Sequence, residues 1–279
     1  MEISFNNSND KNYQKQLNAL LKPIFLDFQF WYDLDLWDKN YESYSIIQND
    51  KILSNISVFK ADILMNWKQY RALSVGAVAT RPDCRGHGYS RLLMEHIISR
   101  YPDTPMYLSA NDKVVDFYPR FGFKRIYEKL PVSHYKINNT IRPNKLPFDS
   151  PIILNYLHNR VNFSQKLDCL NTSSINMFHI HLGHLKEHIY HIPGLETILI
   201  AKQKGSTLKI IGVFSLKHIS FLDFARHLPF AGVEKIEFGF MPCWDDLDYK
   251  MTECEADPFF TRGVKCNLGD FKFPELSIT

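Results

Sequence analysis

Residues 75–91 read VGAVATRPDCRGHGYSR, an apolar strand that runs through a glycine-containing bend into a helix. Leu92, Leu93, Met94, Ile97 and Ile98 recur at the spacing of one helix face directly after the bend. The first N–H groups of a helix have no intrahelical acceptor, and the helix dipole favours negative charge beside them. Gly86 and Gly88 admit positive φ and carry no Cβ that would hold a ligand away from the backbone, while Arg85 adds a fixed positive charge. The stretch Arg85, Gly86, His87, Gly88, Tyr89, Ser90 therefore predicts a seat for phosphate.

Two nucleotide-binding patterns fail on this stretch. A P-loop needs a lysine after its second glycine, and none follows here. The dinucleotide fingerprint needs a third small residue at position 91, which is Arg91. An ordinary glycine turn capping a helix is the plain alternative. A second constellation lies downstream: after a short strand, Met106 to Ala110, comes NDKVVDFYPRFGF, residues 111–123. Asn111 is suited to cap a short helix, Tyr118 ends it before Pro119, and Gly122-Phe123 turn the chain into a strand over 123–127.

Together these residues resemble the GNAT superfamily of N-acetyltransferases. The family's loop, Arg/Gln-x-x-Gly-x-Gly/Ala, lies on Arg85, Gly88 and Ser90, and its later signature, Asn-x-x-Ala-x-x-x-Tyr-x-x-x-Gly-Phe, lies on Asn111, Val114, Tyr118, Gly122 and Phe123. Ser90 stands in place of Gly/Ala and Val114 in place of Ala. The resemblance reaches about Lys136 and implies a mixed α/β fold, with a mostly antiparallel central sheet flanked by helices. It also implies acetyl-CoA as co-substrate and a primary amine as acceptor. Its diphosphate would sit on residues 85–90, and its pantetheine arm along Val78, Ala79 and Thr80, with one strand N–H directed at the thioester oxygen. Asn111 would bind the cofactor arm or cap a helix. Tyr118 matches the family's general acid, which protonates the departing sulfur.

The base that takes the ammonium proton is not legible. Asp33, Asp35, Asp38 and Glu42 lie among Trp31, Tyr32, Trp37 and Tyr41, where the resemblance would place the acceptor wall, but each taken singly reads sooner as a solvated helix charge.

Composition frames this reading. The chain has 279 residues, 45% hydrophobic, enough to fill two cores, and a net charge of +3 without a long basic run, so nucleic acid is not demanded as a partner. Five scattered cysteines (Cys84, Cys169, Cys243, Cys254, Cys266) read as reduced thiols. The N-terminal stretch lacks an apolar leader and no run of 18 apolar residues occurs, which gives the expectation of a cytoplasmic protein with no membrane contact.

The expected organisation is an acetyltransferase domain over 1–137, a linker over 138–150, and a smaller mixed α/β domain over 151–279. In the last, a hairpin around Gly205-Ser206, a helix over 221–227 and a strand from Lys235 follow in an order that suggests a degenerate copy of the first. No glycine-rich loop accompanies that copy, so no second cofactor is expected there.

His179, His181, His184, His188 and His191 form a separate run in which His184 and His188 would share a helix face, but the His-Glu-x-x-His order is absent and no metal ligands are assigned. Rival readings are a non-catalytic acyl-CoA sensor, a protein-docking acyltransferase and a metal-dependent hydrolase.

Overall fold

The computed structural model describes residues 2–6, 10–162, 164–181, 184–264 and 269–279; Cys266 lies outside them. The chain opens with β1 (Glu2–Asn6), α1 (Lys11–Leu21), α2 (Gln29–Asp33), β2 (Tyr41–Gln48), β3 (Lys51–Met65) and β4 (Lys68–Thr80). Asp10 caps α1 by accepting from the N–H groups of Asn12 and Tyr13. The β2–β3 hairpin turns on Asn49 and Asp50, both at positive φ, as a two-residue turn requires. After β4 come α3 (Tyr89–Arg100), β5 (Met106–Ser109), β6 (Lys124–Ile126) and β7 (Lys129–Ser133). The helix expected to end at Tyr118 is instead two 3-10 turns, Asp112–Val114 and Tyr118–Phe121, so Tyr118 begins a turn. Pro119, which prefers the first turn of a helix, accounts for that shift.

The second half contains α4 (Ile152–Asn159), β8 (Leu167–Cys169), α5 (Ser173–His181), β9 (Ile189–Ile192), β10 (Thr197–Lys204) and β11 (Thr207–Ser215). It ends with α6 (Phe221–His227), β12 (Lys235–Phe238), β13 (Lys250–Glu253) and β14 (Phe259–Arg262). Residues 138–150 have neither helix nor strand. α5 stops at His181 and residues 184–188 lie outside any helix, so His184 and His188 do not share a helix face.

The strands form two sheets. The first runs β1-β2-β3-β4-β5-β14-β6, with β8 also on β3, and the second runs β13-β7-β12-β11-β10-β9. Five consecutive pairings match between them in order and sense. In the first sheet β2·β3 and β3·β4 are antiparallel, β4·β5 is parallel, and β5·β14 and β14·β6 are antiparallel. In the second, β9·β10 and β10·β11 are antiparallel, β11·β12 is parallel, and β12·β7 and β7·β13 are antiparallel. The second half therefore repeats the strand order of the first.

The two sheets exchange a strand. β7 leaves the first half to lie between β12 and β13, and β14 returns from the far end of the chain to lie between β5 and β6. Pairing thus runs across the boundaries at 137 and 151 expected from sequence. β14 is anchored by Phe259 and Phe260, each 2% exposed, and burying a phenylalanine stabilises by about 1.5–3 kcal/mol. Between the sheets, Arg160 and Asp168 form a buried ion pair at 2.8 Å, and the Lys272 ammonium meets Glu128 at 3.2 Å.

Candidate functional site

β4 is where the first sheet opens. It pairs with β5 only at Leu73↔Met106 and Ser74↔Tyr107, so its last six residues diverge from that neighbour. On its other side the ladder to β3 skips from Ser57↔Gly76 to Asn55↔Ala79, which leaves Ala77 and Val78 as a bulge, with Ala77 at φ +47°. Positive φ costs a non-glycine residue roughly 1–2 kcal/mol, and a buried polar network holds it in place. Asn55, fully buried, donates from Nδ2 to the Ala77 carbonyl (3.0 Å) and to Ser57 Oγ (3.0 Å), while its Oδ1 accepts from Ser43 and Ser45. Tyr13 OH closes the network on the same two serines. Sequence reading missed Asn55; the signal was the inward alternation Ser43, Ser45 and Asn55, Ser57, polar where a core strand should be apolar. Asn55→Ala should lower stability by about 2 kcal/mol through orphaned partners and weaken acyl-CoA binding, as denaturant melts and calorimetry would measure.

The bend follows at once. Pro82–Cys84 form a 3-10 turn, Gly86 and Gly88 take φ +81° and +78°, and Gly88 is the residue from which α3 departs. A Cβ at either glycine would meet nothing within 4 Å, so backbone conformation alone demands glycine here. Leu92 N–H bonds the Gly88 carbonyl at 3.0 Å, and the N–H groups of Tyr89, Ser90 and Arg91 precede that first helical bond. Ser90 turns its hydroxyl to Thr80 Oγ1 (2.8 Å), tying the helix start to the end of β4. Arg85 and His87 are exposed, the first reaching the Thr80 carbonyl (3.4 Å) and the second stacking on Tyr89 with centroids 5.7 Å apart. Val78 is half-buried and Ala79 buried.

Asn111 caps the first 3-10 turn, accepting from Lys113 N–H at 3.0 Å. Tyr118 is 5% exposed among Phe117, Phe123 and Phe260, and burial pushes its phenol up to about 12. The N-terminal aromatics are core: Trp31, Tyr32, Trp37 and Tyr41 are all buried. Of the acids among them, Asp33 and Asp35 are exposed and Asp38 accepts from Asn40 N–H and Ser174 Oγ. Glu42 is buried on β2, and burial, which would raise its carboxyl, is outweighed by hydrogen bonds from Lys60, Tyr101 and Tyr44, so it lies below the usual range. A carboxylate held that way is a weak proton acceptor.

The segment 274–279 enters the opening of the first sheet. Thr279 Oγ1 lies 2.6 Å from Ser74 Oγ, and a Cβ on Gly76 would come within 2.8 Å of Thr279 Cβ. The segment is fixed by Asn176 Nδ2 on the Leu276 carbonyl (2.6 Å) and by His179 Nε2, which donates to the Ile278 carbonyl at 2.7 Å. Nothing in the sequence marked it.

The repeat in the second half has both of its corresponding places filled from within. β11 pairs β12 only up to Ile210↔Phe238, and beyond that the opening holds Leu276, 2.9 Å from where a Cβ on Gly212 would be. At the start of α6 the Asp246 carboxylate accepts from Phe221 and Leu222 N–H, both at 2.9 Å, whereas the start of α3 has no side-chain cap among the described residues. Among the described residues no group of three His, Cys, Asp or Glu is placed to hold a metal, and no helix is long and apolar enough to cross a membrane.

The family model described as "Acetyltransferase (GNAT) domain" matches residues 7–126. No curated protein sequence matches the chain significantly. Among solved structures, a probable N-acyltransferase of Enterococcus faecalis V583 aligns with TM-score 0.58 at 14% identity, covering 94% of this chain and 72% of that one. Eis1 of Mycobacterium abscessus aligns with TM-score 0.57 at 12% identity, covering 94% and 73%. A GCN5-related N-acetyltransferase of Kribbella flavida aligns with TM-score 0.54 at 10% identity, covering 93% and 70%. These likenesses extend the shared fold over both halves of the chain. Residues 7–126 thus match a GNAT acetyltransferase domain, which supports an acyltransferase.

Proposed function

We propose that the chain transfers the acetyl group of acetyl-CoA to a primary amine by direct attack on the thioester. One observation carries the reading: two left-handed glycines deliver a helix start, without a side-chain cap among the described residues, directly beside a bulged strand that has parted from its parallel neighbour. The N–H groups of residues 86–90 and the Arg85 guanidinium would take the diphosphate. The free backbone of Val78, with Ala79 and Thr80, would receive the pantetheine arm and polarise the thioester carbonyl, an interaction worth about 2.7–4 kcal/mol. Asn111 would support the arm from the opposite wall. A neutral amine attacks the carbonyl carbon, the C–S bond breaks, Tyr118 gives its proton to the thiolate, and the proton shed by the new amide nitrogen passes to solvent, from which the phenolate is re-protonated. The buried phenol holds its proton at neutral pH, which suits a donor.

Calorimetry with acetyl-CoA, paired with CoA release over a panel of amines, tests this. Gly88→Val forces a branched side chain into φ +78° and should weaken acetyl-CoA binding at least 10-fold, a change of about 1.4 kcal/mol. Heat of binding without CoA release on any amine or protein acceptor would leave a sensor instead of an enzyme.

A further inference from the structure

A cavity of about 250 Å³ lies on the second sheet beneath α5, lined by His179, His184, Lys202, Lys209, Glu275 and Leu276 among others. Lys202 and Lys209 are direct cross-strand partners in the β10–β11 ladder, so both ammonium groups leave the same face of the sheet. Like charges placed opposite each other destabilise a sheet unless an anion lies between them. Two carboxylates beside this pair are already engaged: Glu275 meets Lys209 at 2.9 Å, and Glu237, next along the row, meets Lys235 at 2.8 Å. Lys202 has no ion-pair partner among the described residues. Its charge is felt by a neighbour: burial first, then the ammonium groups of Lys202 and Lys145, hold His188 below the ordinary histidine value, with Glu187 opposing.

The cavity borders the opening of the first sheet. Leu276 lines it, and three residues further on Thr279 reaches Ser74 and Gly76 on β4. Three residues span at most about 10 Å. The wall between the two places is the segment that His179 and Asn176 hold in position.

We infer that this cavity binds the acidic group, carboxylate or phosphate, of the acceptor amine, with Lys202 as the ammonium that receives it. The cavity is an anion site independently of the acetyl-transfer reading, and its acceptor role rests on that reading.

Two measurements on the full chain test the two parts separately. Titration with inorganic phosphate should give, besides any binding at residues 85–90, a saturable site that Lys202→Glu abolishes and Lys202→Gln weakens at least 10-fold, with thermal melts confirming that both variants fold. Absence of saturable binding to the wild type, or equal binding by the charge-reversed variant, overturns the site. In CoA-release assays with matched amines bearing a carboxylate, a phosphate or neither group, the ratio of kcat/KM for acidic over uncharged acceptors should fall about 10-fold in Lys202→Gln. The better of the two acidic series identifies which anion the cavity takes. An unchanged ratio overturns the acceptor role while phosphate binding stands. Failure of every amine in the wild type sinks acetyl transfer and the acceptor role together, and phosphate binding still decides the site.

Discussion

Removal of residues 254–279 is expected to leave a chain that does not fold. The deletion takes β14 out of the first sheet and exposes the facing edges of β5 and β6. It also strips Phe259, Phe260, Phe271, Phe273 and Leu276 from the core, all at most 4% exposed. Burial of five such side chains is worth on the order of 10 kcal/mol, comparable to the whole net stability of a domain. Soluble yield and a cooperative thermal transition are the measurements, and a monomeric truncated protein that melts cooperatively would contradict the role given to the exchanged strand. A cut after residue 137 should fail for the same reason. It also leaves β7 without either neighbour, since both β12 and β13 come from later in the chain.

Tyr118→Phe should lower kcat by about 100-fold, the low end of what a positioned acid contributes, while acetyl-CoA affinity stays within about twofold. The ring contacts with Phe117, Phe123 and Phe260 survive the change, so the fold should too. The pH profile separates an acid from a packing residue. Burial raises the phenol to about 12, so the protonated form persists through the range where a solvated tyrosine ionises, near 10. Activity of the wild type should therefore show no loss from this group until pH approaches about 12. A limb near pH 10 that disappears in the phenylalanine variant would place the phenol in water, and an unaltered kcat would remove it from the chemistry.

The first domain was legible because its signals are local. The strand over Arg71–Thr80, the glycine bend and the helix after it follow one another along the chain, and each carries its own pattern of burial or conformational freedom. The hairpin around Gly205-Ser206 was readable for the same reason. What escaped notice depends on distant partners. Phe259–Arg262 is four residues with no periodicity, and its place is set by β5 and β6, more than 130 residues earlier. Lys129–Ser133 contains Pro131, which argues against an interior strand; the structure admits it because the β12 ladder covers only Val132 and Ser133.

Among the candidate site residues, 85–90 and Tyr118 could be proposed from their spacing. Asn55 and Thr279 were not, because their significance lies in the bulge at Ala77 and the opening beside Gly76, which exist only once the sheet is formed. The histidine run misled in one respect: a helical spacing was assumed where α5 has already ended.

The exchange of β7 and β14 also constrains the timetable of synthesis. While the polypeptide is being made, the N-terminal sheet must wait, with a gap between two of its strands, until residue 262 has cleared the ribosome. Long-range closure of this kind is slow and leaves unpaired edges open to other nascent chains. Translation that stalls anywhere in the second half should therefore yield aggregation-prone fragments, and chaperone demand should peak late in elongation.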